Sequence, residues 1–389
     1  PQDRVRKAIG NERRPPVKRL APAAGLAATL LAAPAAQAAL FGDDSLAAFC
    51  EGQGVRETVV YIDTRILDAE KADWARRLRN ELMENLSPRE PISIVALNSV
   101  EASANEVWSS CYPDLWPDEP RESGGLFEKS TERKLEDARG TFRNRLNSAL
   151  NAVFTKHKTE AEADAPARIA RALASDTARY TRSTELSRVI IYSDMLESSD
   201  LADLRADVGE PDGRAVAEKL GTDFGHAMIY GFGVAADDGP DKRERASSFF
   251  EGFFSAANGY VQRMSAEVAL PSGAPIAAER YDLTAVYEGQ EVIGRMVLLP
   301  NSDGALQDSY IFFPGQGRGA SISGTFTCRE QECKLQAETH RRSLTDATGE
   351  TLKLQGSPDE LTGKFGWLYS VTPDGNKAYF EVTATRMPS

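Results

Sequence analysis

The segment Thr58-Val59-Val60-Tyr61-Ile62-Asp63-Thr64-Arg65, an uncharged β-favouring run that stops on an aspartate, decides how this chain reads. The run Val189-Ile190-Ile191-Tyr192-Ser193-Asp194 repeats the design later in the chain. Short continuous apolar runs of this kind are strands buried on both faces, as in a parallel sheet with helices on either side. Residues 92–97 (ISIVAL) and 227–232 (AMIYGF) add two more, and residues 106–111 a weaker fifth.

Helical patterns fill the gaps between these runs. Leu67, Trp74, Leu78, Leu82 and Leu86 recur at helical spacing, with Arg76, Arg77, Arg79 and Glu84 on the other side, until Ser87-Pro88 stops the pattern. Leu135, Phe142, Leu146 and Leu150 mark a second helix, and Ile169, Leu173 and Tyr180 a third. Phe249, Phe250, Phe253, Phe254 and Ala257 give a fourth an aromatic stripe, which reads as a face packed on the sheet rather than a ligand pocket. The expected fold is an open, mostly parallel, doubly wound α/β sheet over residues 39–265.

Outward from this core, the N-terminal 38 residues read as a signal peptide. Arg4, Arg6, Lys7, Arg13, Arg14, Lys18 and Arg19 precede a Leu/Ala-rich stretch that ends in Ala36-Gln37-Ala38, a small-x-small cleavage pattern. That stretch is too short, and too broken by Pro22, Gly25 and Pro34, to span a bilayer. Cleavage near Ala38, a periplasmic or secreted location and no transmembrane anchor in the mature chain are expected. Residues 39–389 then hold 39 basic against 56 acidic side chains, a net charge of −17. Such a surface repels phosphate backbones, so nucleic acid is not an expected partner.

Four cysteines in an exported chain point to disulfides. Cys328 and Cys333 suit a bridge across a hairpin, and Cys50 and Cys111 then pair by elimination; free buried thiols are the alternative.

Periodicity changes near residue 270. Residues 266–278, with Pro271, Gly273 and Pro275, read as a linker, and residues 279–389 as eight short strands separated by turns. That spacing predicts a smaller all-β antiparallel domain, a sandwich or a barrel.

An apolar strand ending in Asp, an amphipathic helix, further strands and a later strand ending in Ser-Asp is the layout of a von Willebrand factor type A domain, which residues 55–260 resemble. In that family D-x-S-x-S and a second Asp hold a divalent ion that receives a partner's carboxylate. Here the string is Asp63-Thr64-Arg65-Ile66-Leu67, with Arg and Leu at the serine positions. The expectation is that Arg65 pairs with Asp63 or Asp194 in the ion's place, with no cofactor. If a site for magnesium or another divalent cation survives, Asp63 and Asp194 hold it. Strand-end capping of backbone amides is the plainer alternative for both aspartates.

The resemblance implies an exported, non-enzymatic interaction or adhesion-type adaptor. It would meet a protein partner of the cell envelope through Asp63, Thr64, Arg65, Ser193 and Asp194, with Trp116 on the Pro-rich loop 113–126. An alternative is a β domain that binds a small molecule, glycan or lipid. A third reading, an envelope hydrolase, has little support. Ser193 lacks a nucleophile elbow, His226 begins its strand at the other end from Ser193, and His157 and His340 are scattered. Gly315, Gly317 and Gly319 follow a strand but open no helix, so they are a turn and not a phosphate cradle.

Overall fold

The apolar runs become the strands of a six-stranded sheet in the order β3-β2-β1-β4-β5-β6. These are β1 (Glu57–Asp63), β2 (Pro91–Asn98), β3 (Ser103–Cys111), β4 (Ser187–Tyr192), β5 (Met228–Phe232) and β6 (Tyr260–Ser265). All pair in parallel except β3, which runs antiparallel to β2. The computed structural model describes residues 44–52, 54–67, 73–117, 119–123, 130–156, 165–182, 186–206, 209, 211–314, 318–340, 347–371 and 377–387. Residues 1–38, read above as a signal peptide, His157 and Gly315–Gly317 of the glycine-rich string lie outside them.

Both faces of the sheet are covered, which is why its strands read as unbroken apolar runs. Val59, Tyr61, Val95, Val189, Ile191 and Ile229 face one way, toward α4 (Ile169–Ala174), α6 (Gly213–Leu220) and α7 (Pro240–Ala256). Val60, Ile62, Ile94, Ile190 and Tyr230 face the other way, toward α2 (Asp73–Asn85) and α3 (Thr131–Lys156). The aromatic stripe of α7 is core: Phe250, Phe253 and Phe254 are fully buried. A four-residue helix, α1 (Asp44–Ala47), runs into a 3-10 turn that ends at Cys50.

Two local expectations need correction, and two elements were not expected. The third helix is two, α4 and α5 (Ala178–Arg182), because Ser175 and Thr177 turn their hydroxyls onto the carbonyls of Ala172 and Ala174 and end the first. Leu67 lies outside α2, beyond a 3-10 turn over Thr64–Ile66. The short α6 and the edge strand β6 escape the periodicity argument; α6 is bounded by the Asp212 cap onto Arg214 N and by Gly221 at φ 63°, a left-handed position that favours glycine.

The second domain is a closed barrel, which settles the choice between sandwich and barrel. Its strands are β7 (Glu279–Tyr287), β8 (Gln290–Leu298), β9 (Ser309–Phe313), β10 (Arg318–Arg329), β11 (Glu332–His340), β12 (Ala347–Gly356), β13 (Glu360–Val371) and β14 (Lys377–Arg386). Consecutive strands pair antiparallel, and β14 returns to β7. Inward positions such as Tyr281, Leu283, Met296, Ile311, Leu335, Leu354 and Val382 make its core. Both expected disulfides form: Cys50–Cys111 ties the N-terminal turn to β3, and Cys328–Cys333 joins paired positions of β10 and β11.

Sheet and barrel belong to one compact unit, Phe41–Ser389. Val297 and Leu299 of the barrel side join the α2–α3 core cluster. The imidazole of His226, at φ 67°, stacks with Tyr260 of β6 and with Tyr310 of β9, and lies 4.1 Å from the ring of Phe312.

Candidate functional site at the carboxyl ends of the strands

The carboxyl ends of the parallel strands bring Asp63, Thr64, Arg65, Ser193 and Asp194 together. Asp63 ends β1 beside Leu97 of β2, and Ile62 is paired with Tyr192, so Ser193 follows at the same level on the neighbouring strand. Asp63 is fully buried and held by three donors. Arg65 N (3.1 Å) and Ser99 Oγ (2.9 Å) donate to Oδ1, and Ser193 Oγ (2.9 Å) donates to Oδ2. Ser193 Oγ also accepts from Met195 N, and Asp194 Oδ1 accepts from Leu196 N, so each strand end caps its own loop. Thr64 Oγ1 donates to Leu97 O at 3.4 Å.

Arg65 completes the group. Its Nη2 lies 2.5 Å from both oxygens of Asp194 and 4.0 Å from Asp63 Oδ2, so the guanidinium sits between the two strand-end carboxylates. Its side chain is 9% exposed, and among the described residues its Nε finds no hydrogen-bond acceptor. Burial pushes the Asp63 carboxyl up from its usual range, the Arg65 charge opposes that, and Asp194 adds to it. A divalent ion fits this arrangement poorly. A cation already lies against both carboxylates, the second hydroxyl position is Leu67, and no group of three or more acidic, Cys or His residues among those described is placed to hold a metal.

Ser99 belongs to the cluster and was not read from the sequence. Its signal was available, because the apolar run 92–97 also ends in polar residues, Asn98-Ser99. Two other groups frame the site. Trp74 stacks on Tyr192 at 4.8 Å, and burial, with Asp237 nearby, pushes the Tyr192 hydroxyl up to about 12. Glu197, fully buried in the loop after β4, accepts from Ser199 Oγ (2.5 Å) and Ala170 N (2.9 Å). Burial outweighs those donors and pushes its carboxyl up to about 7.

Trp116 is not part of this face. Cys111, at the end of antiparallel β3, pairs with Pro91 at the start of β2, so the loop that follows lies at the amino ends of the strands. There Trp116 packs half-buried against the α2–α3 core cluster. His226 also lies at that end, just before β5, so no Ser193–His226 pair forms. His340 instead meets Ser323 Oγ through Nε2 at 2.8 Å on the barrel.

Sequence reasoning missed a second polar cluster at the amino ends of the strands. Arg56, Glu90, Arg188 and Asp308 are all almost inaccessible, and Asp308 comes from the loop between β8 and β9 of the barrel. Arg56 donates through Nε to Glu90 Oε1 (3.1 Å), through Nη2 to Asn85 O (2.6 Å) and through Nη1 to Asp308 Oδ2. Arg188 reaches Glu90 Oε1 (3.0 Å) and Thr58 Oγ1 (2.9 Å), and Tyr230 OH donates to Asp308 Oδ1 (2.6 Å). Two guanidiniums face two carboxylates, which keeps the cluster neutral. Burial alone would raise the Glu90 carboxyl, but the charges of Arg56 and Arg188 hold it below its usual value. Ser87 Oγ adds a bond to Pro275 O at 2.7 Å. The barrel is thus fastened to the base of the sheet, opposite the Asp63–Arg65–Asp194 face.

No protein-family model matches this chain, and no curated protein matches it. Among solved structures, the human COPII-coat protein Sec24c is similar at a TM-score of 0.27 and 8% identity, over 85% of this chain and 43% of that one. The pilus adhesin SpaC from Lactobacillus rhamnosus GG is similar at 0.26 and 8% identity, over 86% of this chain and 45% of that one. The chain spans less than half the length of either, and likenesses at these scores carry no argument about function.

Proposed function

We propose that this is an exported protein-interaction module whose α/β domain is of the von Willebrand factor A type and docks a protein partner through the carboxyl-end face of its sheet, without a metal ion. The observation that carries this reading is Arg65. Its guanidinium is pinned between two strand-end carboxylates while its buried Nε lacks an acceptor among the described residues. An unmet buried donor costs about 1–3 kcal/mol, which an acceptor supplied by a docked chain removes.

Other features agree with it. The acidic balance of the chain favours a partner with a basic rim and a salt-sensitive association rate. Two disulfides suit an oxidising compartment such as the periplasm, and among the described residues no helix is long and apolar enough to cross a membrane. Enzymatic chemistry is not part of the proposal: Ser193 Oγ is committed to Asp63 Oδ2 and Met195 N, and neither described histidine, His226 or His340, lies beside it.

The test is photo-cross-linking in the native cell envelope from two exposed positions, Glu101 beside the face and Lys353 on the barrel wall. Docking predicts one discrete adduct from Glu101 and none from Lys353, and its loss in Arg65→Lys, which keeps the charge but not the Nε donor geometry. An adduct that survives Arg65→Lys, or equal labelling from both positions, overturns the reading.

A further inference from the structure

The seam between the sheet and the barrel holds a histidine that the docking face does not use. A tight turn before β5 fixes where its imidazole stands: Asp223 Oδ1 accepts from Gly225 N at 2.9 Å, His226 N donates to Asn258 O at 2.9 Å, and Gly225 and His226 sit at φ 55° and 67°. Tyr260 of the edge strand β6 stacks on the ring from the sheet side at 5.8 Å, and Tyr310 and Phe312 of β9 meet it from the barrel at 5.7 and 4.1 Å. Sheet and barrel touch at this point. A Cβ on Gly319 of β10 would collide with the Tyr260 hydroxyl, so only glycine lets the barrel wall come this close.

Hydrogen bonding in this box favours one charge state. Tyr260 is buried, and among the described residues the only partner of its hydroxyl is His226 Nδ1 at 3.1 Å. A buried hydroxyl needs an acceptor, so Tyr260 donates, Nδ1 offers its lone pair, and the neutral ring carries its proton on Nε2. Protonating the ring sets two donors against each other across the same contact. Tyr260 must then turn its hydrogen away, and the ring faces that attract the new cation supply neither the lost acceptor nor the lost water. Charges in reach divide. Asp223 favours the imidazolium, although its Oδ1 already serves Gly225 N and Asn258 Nδ2 (3.3 Å), whereas Arg280 and Arg295, which stand around Tyr310, oppose it. Burial pushes the Tyr260 and Tyr310 hydroxyls up, so both stay neutral. Burial also holds the imidazole below its ordinary value of 6.5, with Asp223 partly offsetting it.

From this geometry we infer that His226 is an acid-sensitive latch: a proton taken up on its imidazole below neutral pH loosens the hold of β9 and β10 of the barrel on β6. Because the closed seam lowers the proton affinity of the ring, the contribution of His226 is complete above 6.5 and is lost as pH falls through the closed-seam value. The buried Arg56–Asp308 pair still fastens the barrel elsewhere, so the response is a loosened seam and not a released domain. The inference stands independently of the docking face.

The test follows the proton and the seam separately on the full chain. NMR of the histidine Cε1 protons, assigned by substituting His157 and His340 in turn, gives the His226 pKa. Hydrogen exchange read by mass spectrometry gives the opening of β6 and β9 between about pH 7.5 and about pH 5. The pKa is expected below 6.5, and exchange of both strands, corrected for intrinsic rates, should rise by about tenfold for each unit of that depression. His226→Asn, whose side chain tolerates positive φ and cannot become cationic, should abolish the rise. Tyr260→Phe removes the competing donor and should return the His226 titration toward 6.5. A His226 pKa at or above 6.5, equal exchange of β6 and β9 at the two pH values, a rise that persists in His226→Asn, or a titration unmoved by Tyr260→Phe overturns the inference. The pKa and the exchange are both read with Tyr260 and His226 in place, so neither result depends on how well those variants fold.

Discussion

Replacing Asp308 with alanine removes the barrel's only carboxylate from the buried four-charge cluster and leaves Arg56 facing Glu90 alone, together with Arg188. Arg56 is 0% exposed and Tyr230 1%, so neither freed donor reaches water. Breaking a buried ion pair from one side typically costs about 3–5 kcal/mol, and the stranded Tyr230 hydroxyl belongs within that figure. The expected result in urea or guanidinium unfolding of the full chain is a loss of about 3–5 kcal/mol, with the barrel melting ahead of the α/β domain as its fastening goes. A double-mutant cycle gives the sharper reading. Arg56→Met combined with Asp308→Leu removes both charges at once and should recover at least about 2 kcal/mol of the summed single losses. If Asp308→Ala costs under about 1 kcal/mol, or if the two losses simply add, the cluster is not the interdomain fastening described above.

Arg65→Ser leaves Asp63 and Asp194 without their cation and adds a fourth hydroxyl to those of Thr64, Ser99 and Ser193. That variant should show saturable manganese or magnesium heat where the native chain shows none, and equal binding by both would mean the guanidinium does not fill the ion's place. Glu197 is protonated in the folded chain up to about pH 7 and ionises in the unfolded chain from its ordinary value of 4.5. Its contribution to stability is therefore complete below that value and is lost as pH rises to about 7, at a slope of at most about 1.4 kcal/mol per pH unit. Thermal melts between those limits should flatten in Glu197→Gln; an unchanged slope would place the titration elsewhere. Removing Cys50–Cys111, which closes 61 residues, should cost about 4 kcal/mol and removing Cys328–Cys333, which closes five, about 2 kcal/mol. The reverse order in denaturant midpoints would point to strain or residual structure rather than loop entropy.

Sequence alone determined the features that rest on local pattern. Unbroken apolar runs imply strands with both faces covered, so the parallel sheet around Val59–Ile62 and Val189–Ile191 was legible, as was the meeting of Asp63, Arg65 and Asp194, since strand ends of one sheet converge. Both disulfides were legible too, because four cysteines leave few pairings. Tertiary structure decided what depends on chain segments far apart in sequence. Whether eight strands close into a barrel is set by the pairing of β14 with β7, whose residues lie roughly a hundred positions apart, and alternation within each strand is the same for sandwich and barrel. Arg56 and Arg188 look like ordinary surface charges in the sequence; only the arrival of Asp308 from the barrel and of Glu90 from the next strand end makes their burial affordable. The position of Trp116 was likewise undetermined until β3 proved antiparallel, which carries its loop to the amino ends of the strands and away from Asp194. Local periodicity reports which face of an element is buried, whereas partners across domains are chosen by three-dimensional packing that no single stretch of sequence encodes.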